Sequence, residues 1–354
     1  MATLIMQDKY IAAMLLSGVG DALGFYGGTW EFDYSGVNIH AQLKSKFNGV
    51  KNIKVALPKW PVSDDTVLHL ATAEALMSGK ACSEDLFLEI VNHYVRGASD
   101  MNGRSSGFTT MSNIQSLASS KGYVVPFNKR GGGCGAAMRS MCIGLRYPNP
   151  QQLPDLIAVA VESGRMTHNC PTGYLGSVAS AYFTSLALQG KPVESWGFEL
   201  MQLLPKVKEY IKSVNRDVKQ NEENWDYFST QWMKYLEIRN ITDGKSPPKF
   251  PEKYGIEERD KFYNSVSFGG WGGASGHDAP MIAYDALLAA GSSWEKFCDH
   301  GVFHGGDNDS TGAIGCSWWG ALYGLEGVPK CNYEKLEYRE RLENAGKKLF
   351  ELSQ

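Results

Sequence analysis

Two short acidic motifs carry the residue types best suited to chemistry in this chain of 354 residues. Ser63-Asp64-Asp65-Thr66 stands before an apolar helical stripe that begins near Val67. Gly305-Gly306-Asp307-Asn308-Asp309-Ser310-Thr311 stands before another that holds Ile314 and Trp318. Each reads first as a helix cap, because Ser and Asp accept from unpaired first-turn N–H groups and their charge complements the helix dipole. A cap needs only one oxygen, whereas each motif supplies two carboxylates and a hydroxyl. Hard divalent cations take several oxygen ligands and leave positions for water and substrate. Asp307-x-Asp309 has the alternating spacing of an oxygen-ligand loop, and Gly305-Gly306 lets the backbone turn tightly beside it. Two motifs so far apart in sequence can supply opposite sides of a two-metal site. Mg²⁺ or Mn²⁺ suits these ligands better than Zn²⁺, since no His/Cys cluster has zinc spacing. His304 reads as a structural neighbour of the second motif.

The densest glycine run is Arg130-Gly131-Gly132-Gly133-Cys134-Gly135-Ala136-Ala137-Met138-Arg139. Small residues let backbone N–H groups approach an anion, and a helix expected from near Ala136 would point its positive end at it. Gly131-x-Gly133-x-x-Ala136 matches a relaxed dinucleotide fingerprint. A Rossmann unit would need a second strand ending in an acid, and Cys142–Tyr147 runs into Pro148 and Pro150 instead. The Walker lysine is also missing. A diphosphate cradle without a Rossmann fold remains, with a flexible turn as the plainer reading. A second run, Ser267–Pro280, sets Trp271 among glycines, where a base or a closing loop would have to pack on it. In the third, Gly18–Gly24, the glycines read as close helix packing, with Asp21 orienting its neighbours by hydrogen bonds.

The elements that position these motifs repeat at helical spacing. Stripes start at Val67 and Leu86 and cover Pro154–Val161, Leu175–Leu188, Pro280–Ala290 and Thr311–Tyr323. Trp225, Phe228, Trp232, Tyr235 and Leu236 form an aromatic stripe that reads as core rather than as a ligand platform. The charged stretch Lys206–Lys261 carries that stripe and so is expected to pack on the rest. Ile11–Leu16 reads as part of a buried first helix, too short an apolar run to suggest a membrane span. Strand signals are too few for a central sheet, so the expected fold is all-α, one domain over 1–354 of many helices with the functional residues on the loops between them. A net charge of -3 disfavours nucleic-acid binding. Seven cysteines without a CxxC pair read as reduced thiols in a cytoplasmic protein, with no membrane partner.

Six of these segments occur in the order seen in the ADP-ribosyl-acceptor hydrolases, relatives of the dinitrogenase-reductase-activating glycohydrolase. They are Gly20–Gly24, Ser63–Thr66, the Gly131–Arg139 loop, Arg165–His168, Gly276–Pro280 and His304–Thr311. The resemblance covers essentially the whole chain and is closest to the vertebrate-type ADP-ribosylarginine hydrolases, including Gly27–Phe32 and Tyr333–Tyr338. It implies a compact all-α single domain, an orthogonal helical bundle with two Mg²⁺ or Mn²⁺ ions in a central cleft, and Ser63, Asp64, Asp65, Asp307, Asp309 and Ser310 at metal-ligand positions. It also implies that Arg130, Gly131, Gly132, Gly133, Cys134 and Gly135 hold the diphosphate. His168 and the loop carrying Gly269, Gly270, Trp271, Ser275 and Gly276 would line the ADP-ribose cleft. Glu31 falls where some relatives carry a glutamate on a mobile flap. A paralogue that lost the second acidic motif is thought inactive, and this chain keeps both. Cys170 departs from the family, whose close members often carry His there.

The implied activity is hydrolysis of the C1″–N bond between ADP-ribose and arginine on modified proteins, with Asp64, Asp65 and Glu31 as the catalytic carboxylates and a monomer as the expected state. A silent ADP-ribose-binding protein and a hydrolase of another ADP-ribose linkage stay open as alternatives.

Overall fold

The computed structural model describes residues 5–354 and is all-α. Among these residues the β pairing consists of isolated bridges, Ala56 with Lys335 and Gly133 with Ser275. The chain begins with α1 (Met6–Phe25) and α2 (Gly36–Gln42), and the first acidic motif opens α3 (Asp64–Leu76). Next come α4 (Glu84–Gly97), α5 (Phe108–Ser119), α6 (Met141–Arg146), α7 (Leu153–Arg165) and α8 (Pro171–Leu188). The charged stretch forms α9 (Trp196–Val214), α10 (Val218–Glu223), α11 (Asp226–Arg239) and α12 (Ile256–Val266). The last elements are α13 (Asp278–Ala290), α14 (Trp294–Gly301), α15 (Asn308–Tyr323) and α16 (Arg339–Ser353). Each apolar stripe read from the sequence lies on one of these helices.

The first helix is longer than its apolar run suggests, and by length and composition alone it could cross a membrane. Its side chains from Ala12 to Phe25 are buried inside the protein instead. α15 is its main partner, and their backbones nearly touch. A Cβ on Gly20 would collide with the Gly312 carbonyl, one on Gly24 with the Asn308 carbonyl, and one on Gly312 would lie 2.6 Å from Gly20 O. Interiors packed this densely leave no room for a methyl group. The packing role expected of these glycines is therefore met.

The aromatic stripe of α11 is core, as its spacing predicts. Trp232 lies 5.7 Å from Phe183 of α8 and 6.2 Å from Tyr284 of α13, centroid to centroid. A buried ion pair fastens the same helix: Arg239 Nε donates to Asp285 Oδ1 at 2.6 Å, and the Tyr235 and Tyr254 hydroxyls donate to that carboxylate at 2.9 and 2.7 Å. The charged stretch is thus part of the folded body.

One expected element is absent. No regular helix begins near Ala136; residues Cys134–Ala136 make a single 3₁₀ turn, and α6 starts only at Met141. Gly135 O accepts from Arg139 Nη1 at 2.8 Å instead of from a backbone N–H four residues on, which interrupts the ladder a helix needs.

Because the α1–α15 contact tolerates no side chain, Gly20→Val is expected to cost about 3 kcal/mol or more of stability. Thermal or urea unfolding checks this. Gly122→Ala, at an ordinary backbone angle with nothing within 4 Å, is the control and should unfold like the parent.

Candidate active site

The first acidic motif caps its helix through Ser63, and that leaves its carboxylates free, whereas Asp307 stands at the N-cap of α15 without a side-chain cap bond. Ser63 Oγ accepts from the Asp65 N–H at 3.1 Å. Asp21, buried on α1, reaches the same terminus: its carboxylate accepts from the Ser63 N–H at 3.0 and 3.1 Å, the Thr66 N–H at 3.1 Å and the Thr66 hydroxyl. With these N–H groups satisfied by Asp21 and Ser63, Asp64 and Asp65 point into a cleft of about 330 Å³. Asp307 and Asp309, at the start of α15, line the same cleft, together with Ser310 and Glu31.

The walls come from loops laced backbone to backbone. Phe32 N–H donates to Gly306 O at 2.8 Å, and Asp307 N–H donates to Gly272 O at 2.8 Å. Cys134 N–H donates to Ala274 O at 3.1 Å, and Gly276 N–H to Gly132 O at 2.9 Å. The two glycine runs are therefore paired with each other. Gly306, at φ 151, lies in the region that favours glycine, and a Cβ there would run into the Gly272 carbonyl.

Of the residues expected to hold substrate, Gly133, Cys134, Gly135, His168 and Trp271 line the cleft. Arg130, Gly131, Gly132, Gly269, Gly270, Ser275 and Gly276 do not. Arg130 is exposed, the N–H groups of Gly131 and Gly276 are spent on Asn128 O and Gly132 O, and that of Ser275 donates to Asp278 Oδ1 at 2.8 Å. Ser63 also stands behind the lining, as the cap of α3. His168 is buried, with Nδ1 2.8 Å from Thr167 Oγ1; burial first and the Arg139 charge second push its pKa down to about 3, so it stays neutral. His304 is structural, its Nε2 2.7 Å from Thr311 Oγ1.

Asn169, beside His168, ties the charged stretch to the glycine loop. Its Nδ2 donates to Val125 O at 2.9 Å and to Asp217 Oδ2 at 3.0 Å, and its carbonyl accepts from the Asn128 N–H at 3.0 Å. Cys170 donates its thiol to Lys129 O at 3.7 Å and is absent from the cleft lining.

Glu31 stands between two packed aromatic residues. Trp30 is fully buried against Trp60 and Phe303, and Phe32 is held by Gly306 and packs edge-on to Trp271 at 6.4 Å. Gly27 and Gly28 do take left-handed backbone, φ 60 and 77, where the chain leaves α1. Glu31 thus lies between a left-handed turn and two packed aromatic neighbours.

Missing from the sequence reading were Ser105, Gly107, Phe108, Thr109 and Thr110, which form one wall. The turn-rich Asn102-Gly-Arg-Ser-Ser-Gly107 marks a loop entering a helix but carries no residue type that announces chemistry.

The cleft floor concentrates negative charge out of water. Burial first and the nearby Asp309 charge second raise Asp64 to about 8 and Glu31 to about 9. Asp65 and Asp307 are pushed well up by the same causes. The ion pairs of the protein lie elsewhere, as in Arg104–Glu337 and Arg259–Asp260, and Asp65 Oδ2 is buried without a hydrogen-bond partner. Buried carboxylates without a basic partner require protons or a cation. A hard cation fits this donor set. Among the described residues no three His, Cys, Asp or Glu side chains converge as a ready ligand group, so serine hydroxyls, water or substrate oxygens have to complete any shell. Cys134 adds a thiol that donates to Asp307 Oδ2 at 3.2 Å.

The model of the ADP-ribosylglycohydrolase family matches residues 2–354. The chain belongs to that family. It is 43% identical to the ADP-ribosylhydrolase ARH1 of Dictyostelium discoideum over 98% of this chain and 94% of that one. It is 25% identical to the ADP-ribosylhydrolase ARH3 of Xenopus tropicalis over 62% of this chain and 60% of the other. A solved ADP-ribosylglycohydrolase-related protein complex shares the fold, with a TM-score of 0.61 at 22% identity and 99% coverage of both chains. Family membership makes the protein a hydrolase of ADP-ribosyl linkages, with ADP-ribose as product.

Gly135 presses on the residue that faces the glycine loop: a Cβ there would lie 2.6 Å from His168 Cε1 and 2.8 Å from Thr110 Oγ1. Gly135→Ala is expected to displace His168 and raise KM for an ADP-ribosylated substrate about tenfold with a smaller change in kcat, as steady-state kinetics would record.

Proposed function

We propose that the protein removes ADP-ribose from arginine side chains of modified proteins, using two divalent cations, Mg²⁺ or Mn²⁺, held by Asp64, Asp65, Asp307 and Asp309 with Ser63 and Ser310. The observation that carries the metal reading is the set of buried carboxylates that no Arg or Lys neutralises, lining one cleft with the glycine loop. The arginine reading rests on the motif-level likeness to the arginine-type hydrolases.

The chemistry asks for what this cleft holds. Water adds to C1″ of the distal ribose, the C1″–N bond breaks, and its electron pair leaves with the guanidine nitrogen, which takes up a proton. Positive charge builds at C1″ on the way, and the ring of carboxylates favours it. When bound, divalent cations fix vicinal hydroxyls and lower the pKa of water near neutral pH. Glu31 has the right place to exchange a proton with the departing nitrogen, because it lines the cleft with the aspartates. Its burial also keeps a proton on the carboxyl near neutral pH. Asp64 and Asp65 combine ligation with charge stabilisation. Trp271, 57% exposed at the mouth, offers a face for a base.

The test is release of free ADP-ribose from arginine- and serine-linked ADP-ribosyl peptides, with Mg²⁺ and with chelator. Release from the arginine peptide alone, dependent on the metal, is the expected result; release from the serine peptide alone overturns the linkage assignment, and binding without release would make the protein a reader. Mg²⁺ at a hundred times its Kd should stabilise the fold by about 2.7 kcal/mol, read as a rise in Tm. Asp307→Asn should abolish that rise and lower kcat about a hundredfold or more while the protein stays folded. Glu31→Gln should lower kcat and leave ADP-ribose affinity nearly unchanged in calorimetry, whereas full kcat across the pH range would remove Glu31 from the mechanism.

A further inference from the structure

Beside the cleft, α4 and α5 enclose an open groove of about 600 Å³ lined by Val95, Ala98, Phe108, Met111, Ile114 and Ala118. No charged side chain lines it. Phe108, Met111, Gln115 and Ala118 follow helical spacing along one face of α5, while Leu117 on another face is buried in the core. Phe108 is the first residue of α5 and is 87% exposed, a large apolar side chain left in water by the rest of the fold.

Phe108 also lines the catalytic cleft, so cleft and groove share a wall. A cleft of about 330 Å³ filled by the ADP-ribosyl group leaves no space for the polypeptide that bears it. That polypeptide has to run across the rim, and on the Phe108 side the rim opens directly onto the groove. We infer that the groove receives an apolar side chain of the substrate polypeptide, close in sequence to the modified residue. Recognition there rests on burial of apolar surface and shape, since the lining offers no charge to pair. The inference depends on the hydrolase reading above and adds to it a preference among modified proteins.

The experiment uses Met111→Lys and Ala118→Glu, neither of which lines the cleft. Three substrates are compared: free ADP-ribosylarginine, a peptide with ADP-ribosylarginine flanked by Leu and Phe, and the same peptide flanked by Gly and Ser. The wild type should favour the Leu/Phe peptide. Each variant should lose about tenfold in kcat/KM on that peptide, through KM, and keep its rate on the other two, the size expected for one side chain no longer buried. Equal loss on free ADP-ribosylarginine would place part of the ADP-ribosyl group in the groove and overturn the inference. So would unchanged rates on all three substrates. A wild-type dimer that Met111→Lys turns into a monomer, with the rates unchanged, would assign the groove to a second copy of the chain. If the wild type leaves free ADP-ribosylarginine uncleaved but cleaves another linkage, the arginine reading fails by itself. The peptide comparison, repeated on that linkage, then decides the groove.

Discussion

The buried carboxylate of Asp21 is the interaction on which the cleft depends. It sits between Gly20 and Gly24, the glycines that bring α1 against the first half of α15, and it accepts three kinds of donor from the first turn of α3. One side of α1 therefore positions Asp307 and Asp309 through a contact too close for any side chain, and Asp21 positions Asp64 and Asp65 through hydrogen bonds. Without it, the Ser63 and Thr66 N–H groups would be left buried and unpaired. Burial first and the Asp309 charge second push Asp21 up to about 7, so the anchor is itself part of the crowded acidic floor. A cation held as proposed would relieve that crowding and so strengthen the scaffold.

A second level of order comes from the loops. The segments carrying Glu31, Asp307, Trp271 and the Gly133–Gly135 run are laced in series by backbone hydrogen bonds, and close approach there requires glycine. Such lacing explains why an all-α protein can present a well-defined cleft from loop residues: the loops brace one another and do not rely on the helices alone. Asn169 extends the brace outward to Asp217 on the charged stretch, so that stretch supports the floor of the glycine loop without touching the cleft.

The helices and the acidic motifs were legible because both are local signals. A stripe at helical spacing, a Ser-Asp-Asp before it and glycines on one helix face each state a preference within a few residues. What the local signals leave out is of long range. The helix expected from Ala136 gives way because Arg139 takes the Gly135 carbonyl, and no local pattern announces that. The Gly276 N–H is spent on the Gly132 carbonyl, a pairing between two distant runs that no local pattern announces. Trp30, beside Glu31, is fully buried, and its partners Trp60 and Phe303 come from elsewhere in the chain. Ser105 and Phe108 drew no notice because a Ser and a Phe at the mouth of a helix look ordinary until the opposite wall is known.

The α1–α15 contact also has a consequence for synthesis. The partner that covers α1 is encoded roughly 290 residues after it, so at ~5–20 residues per second α1 waits about 15–60 s for α15. During that interval a helix apolar enough to pass for a membrane span stands without its cover. The nascent chain is thus a natural client for a holding chaperone. Polypeptides truncated before Gly312 would keep that client state for good, with neither the cleft nor a stable fold to end it.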